Sequence, residues 1–138
     1  MSNVLFEMVL PRRPVSYNAR GRPAYPNWKA YVAAEAKSLW TYPTLNGQNY
    51  YFQIIYICHE DPVDVDNIIK PIQDALVNVV YSDDVSISDV SAHRRFTSES
   101  LHPDDLPDAL LDVMTGSLGV TDVVYLRLCE KRDIGSFV

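Results

Sequence analysis

Apolar residues recur along this chain with two different periods, and the changes of period mark out its elements. Residues 3–11, NVLFEMVLP, alternate loosely and stop at Pro11, which predicts a first strand. Over residues 27–40 the period lengthens. Trp28, Tyr31, Val32, Ala36, Leu39 and Trp40 share one helical face, with Asn27 placed to cap it and Pro26 before it. Residues 50–60, YYFQIIYICHE, are aromatic and β-branched, the mark of a central strand. A second helix follows, with Ile68, Ile69, Ile72, Leu76, Val79 and Val80 on its apolar face and Asp66 or Asn67 as its cap. Pro71 falls in its first turn or so, where a missing N–H costs little. That helix ends near YSDD, residues 81–84. Residues 85–96, VSISDVSAHRRF, alternate again as a third strand, and residues 120–133, VTDVVYLRLCEKRD, form a last one.

The connections carry information of their own. Residues 12–26, RRPVSYNARGRPAYP, hold three prolines, a glycine and four arginines in a loop too long to be an idle connector. Residues 42–49, YPTLNGQN, are turn chemistry. Residues 97–119 form an irregular acidic stretch without Lys or Arg, with a short helix expected at PDALLDVM, residues 107–114. The order β-α-β-α-β-(insert)-β predicts an α/β or α+β fold. One domain would span residues 1–138, a mixed sheet of about four strands with two main helices packed on it and an acidic insert at about 97–120.

Composition changes this picture only at the level of charge. At 47% hydrophobic and 22% charged, the chain reads as an ordinary globular protein. Cys58 and Cys129 lie inside apolar runs, as buried reduced thiols do, and no Cys/His spacing points to zinc. No basic-then-apolar signal opens the chain and no run reaches membrane-spanning length, so a cytoplasmic protein without membrane contact is expected. The formal charge of −6 argues against a generic nucleic-acid binder, but it is unevenly spread. The first fifty residues hold six basic and two acidic side chains, net +4; the rest hold six basic and sixteen acidic, net −10.

The densest chemistry lies in DPVDVDNIIKPIQDALVNVVYSDD, residues 61–84. Asp64 and Asp66, two apart, share one side of an extended segment, and Lys70 and Asp74 follow at successive helical turns. Asp83 and Asp84 emerge where the helix hands over to the next strand. Two or three such carboxylates suit a hard divalent cation such as magnesium. A lysine beside them fits a phosphate or a developing alkoxide better than a metal. Together they are the parts for phosphodiester hydrolysis. The same residues also fit a helix cap, worth about 1 kcal/mol, and a surface ion pair worth a few tenths, roughly 0.3 kcal/mol. A calcium EF-hand is excluded by the missing Asp-x-Asp-x-Asp-Gly pattern. His59, His93 and His102 read as structural or surface histidines rather than general bases.

DVDNIIKPIQDAL, followed by SDD, resembles the signature of the RusA family of Holliday junction resolvases, and PRRPVSYNARGR is similar to that family's Pro-Ser-Asn loop near the first strand. The resemblance implies a homodimeric endonuclease that cuts branched DNA, a four-way junction, with magnesium, for which manganese can substitute. It implies that Asp64, Asp66 and Asp84 bind the metal, with Asp83 in a supporting place, and that Lys70 is catalytic or contacts phosphate. Asn67 and Asp74 match the motif as cap and neighbour, and Ser16 and Asn18 match the N-terminal loop. It also implies a cytoplasmic enzyme found on the nucleoid when at work. The chain departs from the family in being acidic and in the length of its insert. DNA binding therefore requires a focused basic face, for which Arg12, Arg13, Arg20, Arg22, Lys29, Arg94 and Arg95 are the candidates. Two other functions fit the residues: a non-catalytic module that meets a protein through its acidic surface, and a nuclease acting on flaps or RNA.

Overall fold

The computed structural model describes residues 3–116 and 122–138. Four strands form one mixed sheet: β1 (Val4–Leu10), β2 (Tyr50–Cys58), β3 (Ile87–Phe96) and β4 (Val123–Cys129). Three helices accompany it: α1 (Ala24–Leu39), α2 (Ile69–Leu76) and α3 (Asp108–Gly116). The spatial order is β1-β4-β2-β3. β4 runs antiparallel to both β1 and β2, whereas β3 is parallel to β2, reached through the α2 crossover. The expected mixed α+β architecture is present, and the last strand of the chain lies inside the sheet.

The period of two explains how both faces are covered. Phe52, Ile54, Tyr56 and Cys58 of β2, Val124, Leu126 and Leu128 of β4, and Phe6, Met8 and Leu10 of β1 share one core with Trp28, Val32 and Ala36 of α1 and Ile72 and Leu76 of α2. The alternate residues Ile57, Val123 and Tyr125 face the other way and meet Leu110 of α3, with Leu101, Leu106 and Val113 packed beside them. The acidic insert is therefore no appendage, because its leucines supply the second covering layer. Its residues 117–120, and the start of the last strand as read at 120–121, lie outside the described residues. Cys58 and Cys129 are free and buried, and burial raises both thiol pKa values. Among the described residues no helix is long and apolar enough to cross a membrane.

The boundaries of α1 and α2 differ from the sequence reading. α1 begins at Ala24 rather than Asn27, with Pro26 inside its first turn, where the N–H it lacks has no helical partner to lose. α2 ends at Leu76, short of YSDD, and Asn78 turns the chain with φ 64°. Neither Asp66 nor Asn67 caps α2. Both belong to a short 3₁₀ turn, Val65–Asn67, and Ile68 takes the cap position.

Candidate active site

The acidic loop leaves the end of β2, while Asp84 stands just before β3, whose first residue pairs with the first residue of β2. The carboxylates thus depart from opposite ends of one parallel pair. The 3₁₀ turn Val65–Asn67 packs back against β3, and α2 follows it against α1, so the chain returns towards Asp84. Pro71, Ile72, Ala75 and Leu76 bury one side of α2, which leaves Lys70 and Asp74 on the open side.

There the Lys70 Nζ lies 2.8 Å from Asp84 Oδ2 and 3.0 Å from Asp74 Oδ1. Its side chain is 48% exposed and that of Asp84 29%, so the cluster opens to solvent. The hydrogen bond to Asp84, then that to Asp74, raises the Lys70 pKa above its ordinary value, and the amine is firmly an ammonium. The same bond from Lys70 lowers the Asp84 pKa. Such an ammonium is no general base. It is a fixed positive charge with a hydrogen available for a third partner.

Asp83 accepts from the Val85 N–H at 3.0 Å and caps the short turn Asp84–Ser86, a structural task. Asp64 and Asp66 are exposed, and their carboxylates accept no hydrogen bond from a described residue. Among the described residues no three His, Cys, Asp or Glu side chains stand grouped to hold a metal ion. Asp64, Asp66 and Asp84 are therefore not drawn together as a closed three-carboxylate cage, and Lys70 engages Oδ2 of Asp84. In kind the donors still fit magnesium, which commonly takes one or two carboxylates, several waters and substrate phosphate. Unengaged Asp64 and Asp66 can supply those oxygens.

The N-terminal loop borders this cluster through residues the sequence reading passed over. Tyr25, on α1, has its pKa raised by burial first and by the charge of nearby Asp74 next, with Tyr17, Lys70 and Arg20 also close enough to act on it. The rings of Tyr17 and Tyr25 meet edge to face, centroids 6.3 Å apart. Ser16 accepts from the Asn18 N–H at 3.0 Å and so shapes the turn that presents Tyr17, while Asn18 is exposed. Tyrosine three residues before an α-helical tryptophan was the available signal, obscured by the prolines around it.

The basic candidates separate into groups. Arg12 lies flat on the Tyr31 ring at 3.7 Å, and Arg20 on Tyr17 at 4.4 Å. Lys29 lies 5.6 Å from the Tyr25 ring, and Arg22 is exposed. Arg13 is occupied elsewhere: it donates to the Asp61 carbonyl at 2.7 Å and pairs with Asp122 at 3.5 Å. Arg94 and Arg95 do not form one patch. Neighbours on a strand point to opposite faces, and both lie near the end of β3 away from Asp84. Roughly 3.3 Å per residue separates them from that carboxylate by much of the strand's length. Arg95 instead borders a cavity of 400 Å³ with His93 and His102. The ring Nδ1 of His59 lies 3.3 Å from Thr97 Oγ1, and nothing ties it to Lys70.

One buried acid was missed altogether. Asp122, 5% exposed, accepts from the Tyr56 hydroxyl at 2.9 Å and from the His59 backbone N–H at 3.2 Å. Its only sequence signal was an acid directly before an apolar strand.

A family model described as endodeoxyribonuclease RusA matches residues 12–102, which include the arginine-rich loop, α1, β2, the acidic loop, α2 and β3. No curated protein matches the chain.

Proposed function

This chain belongs to the RusA endodeoxyribonuclease family, and on that premise we propose that it is a divalent-metal-dependent, structure-selective nuclease that resolves four-way DNA junctions in recombination and repair. The observation that carries the reading is the exposed ammonium of Lys70, held by Asp84 and Asp74 on the open side of α2. Asp64, Asp66 and Asp84 would hold magnesium, with manganese as a substitute. When bound, the ion would polarise the phosphoryl group and lower the pKa of a water molecule.

The chain's own residues do the rest. Lys70 keeps its proton, so its charge is present when a phosphate arrives and can offset the negative charge that develops there. Asp74, one turn away, is the amine's second partner and would keep it in place if Asp84 held a cation. Tyr25 and Tyr17 wall the side facing the N-terminal loop. Arg20 and Lys29, over the rings of Tyr17 and Tyr25, bring positive charge beside this cluster, which an acidic chain needs before it can approach a polyanion. Work on two strands of one junction calls for two such sites, supplied by a homodimer.

The test is cleavage of a synthetic four-way junction with magnesium, with manganese and with chelator, by wild type and by Asp84→Asn. Nicks near the branch that need metal and vanish in the variant, with junction binding retained, are expected. Metal-independent cutting, or an unaffected variant, overturns the proposal. Equal cutting of flaps or RNA would move the substrate assignment without moving the site.

A further inference from the structure

Two of the residues that lead from β2 to Asp64 share one anchor. His59 donates its backbone N–H to Asp122 Oδ1 at 3.2 Å. Asp61 gives its carbonyl to Arg13 at 2.7 Å, and Arg13 in turn pairs with Asp122 Oδ2 at 3.5 Å. The hydroxyl of Tyr56 donates to the same Asp122 Oδ2 at 2.9 Å. Residues 59 and 61 are thus tied to one carboxylate, directly and through Arg13, just before Asp64.

The loop needs such a tie. Asp61 has φ 49°, a left-handed backbone that costs a non-glycine residue energy, and Pro62 follows it. Its own side chain offers no compensating hydrogen bond to a described residue. Arg13 holds the strained peptide by its carbonyl, and Asp122 holds Arg13. The anchor itself is rigid: Tyr56 is fully buried in β2, and Asp122 sits at the head of β4, the strand hydrogen-bonded to β2. Both carboxylate oxygens are occupied, so Asp122 is not left free for a ligand.

We propose that Asp122 is a positioning residue for the nuclease site: through the His59 N–H and Arg13 it fixes the path of residues 59–61 and thereby the place of Asp64 and Asp66. It lies beyond residues 12–102, the segment that carries the family match. The inference deepens the nuclease reading and rests on it. It also reassigns Arg13 from a DNA contact to a strut of the acidic loop.

Two measurements test it on the full chain. Amide hydrogen exchange in metal-free protein without DNA reads the loop alone; single-turnover cleavage at saturating junction reads its consequence. In Asp122→Asn, whose amide keeps the shape but places N–H where a donor now sits, residues 59–66 should exchange faster while β2 and β4 keep their protection. Cleavage should fall about tenfold to a hundredfold with junction affinity unchanged, as when support behind a ligand is lost. Arg13→Ala, a change at a half-exposed side chain, should do the same to a smaller extent, and Arg13→Lys should recover part of it. Loop exchange like wild type in both variants overturns the inference. So does an Arg13→Ala protein that merely binds junction more weakly while its loop stays protected. A wild type that leaves the junction intact overturns the nuclease reading instead, and the exchange data still decide whether Asp122 fixes the loop.

Discussion

Asp84 and Asp122 each face a basic side chain, yet the two pairs are built for different ends. Asp84 is 29% exposed and meets one amine, whose other bond goes to Asp74. Asp122 is 5% exposed and receives a hydroxyl, a backbone N–H and a guanidinium. A carboxylate in water can exchange its partner for a cation or a phosphate-bound ion at little cost. A buried one, saturated with donors, cannot, because every donor it releases stays behind without water to replace it. The acid that can change partners is the one suited to chemistry; the acid that cannot is suited to holding a loop still.

The strongest way to break this contrast is to neutralise each acid in turn. Asp84→Asn should abolish junction cleavage, by something on the order of 10⁴-fold if Asp84 belongs to a catalytic set, with no more than a small change in stability. A nicking assay beside a denaturant titration reads both. Lys70→Ala comes next: a loss of roughly 10²–10³-fold in the chemical step, the scale of one electrostatic donor. Junction affinity should change far less. If affinity and rate fall together, Lys70 binds DNA in general rather than acting at the reacting phosphate.

Asp122→Ala should give the opposite ranking. Tyr56 and the His59 N–H lose their acceptor inside the protein, so unfolding should become easier by about 2 kcal/mol, the cost of leaving a buried donor unpaired. Tyr56→Phe, which removes the donor instead, should cost less, about 1 kcal/mol. Denaturant midpoints at constant slope decide this. An Asp122→Ala protein as stable as wild type would mean that water satisfies those donors, and the contrast between the acids would collapse.

The two acids also differ in how visible they were in the sequence. Lys70 and Asp74 are one helical turn apart, so their pairing follows from spacing alone. Asp84 is fourteen positions from Lys70, and the sequence suggests only that the strand after α2 returns towards the acidic loop; the fold makes the contact. Asp122 lies 66 positions from Tyr56 and 109 from Arg13. No local pattern spans such distances; strand order creates the contact, and strand order is not written in any one segment. The strands themselves were readable, because a sheet covered on both faces leaves apolar runs. The helix starts and ends were not. They turn on a proline tolerated in the first turn of α1 and on Asn78 taking a left-handed conformation after α2, choices that tertiary packing makes. Arg94 and Arg95 show the converse: adjacent in sequence and both candidates for a basic face, they are sent to opposite faces by the pleat of β3.

The smallest effect sharpens the comparison furthest, because it separates charge from burial. Asp84 has its pKa lowered below the ordinary 3.8, chiefly by Lys70. Its contribution to stability is therefore present above that ordinary value and is lost as pH falls through the lower folded value. Lys70 has its pKa raised above the ordinary 10.5, chiefly by Asp84, so its contribution is complete below that value and disappears as pH rises through the folded one. Between those limits the pair stabilises the fold, but only by about 0.5 kcal/mol, since the Lys70 side chain is exposed and Asp84 only partly buried, so solvent screens the pair. A double-mutant cycle of Lys70→Met and Asp84→Asn should show that coupling at neutral pH. It should fade below the ordinary carboxylate value, and at high salt, where charges are screened beyond about 3 Å. Arg13 and Asp122, put through the same cycle, should lose less to salt, because one partner is buried. Equal salt sensitivity of the two cycles would show that burial does not distinguish them, and that the exposed site owes its adaptability to something other than water.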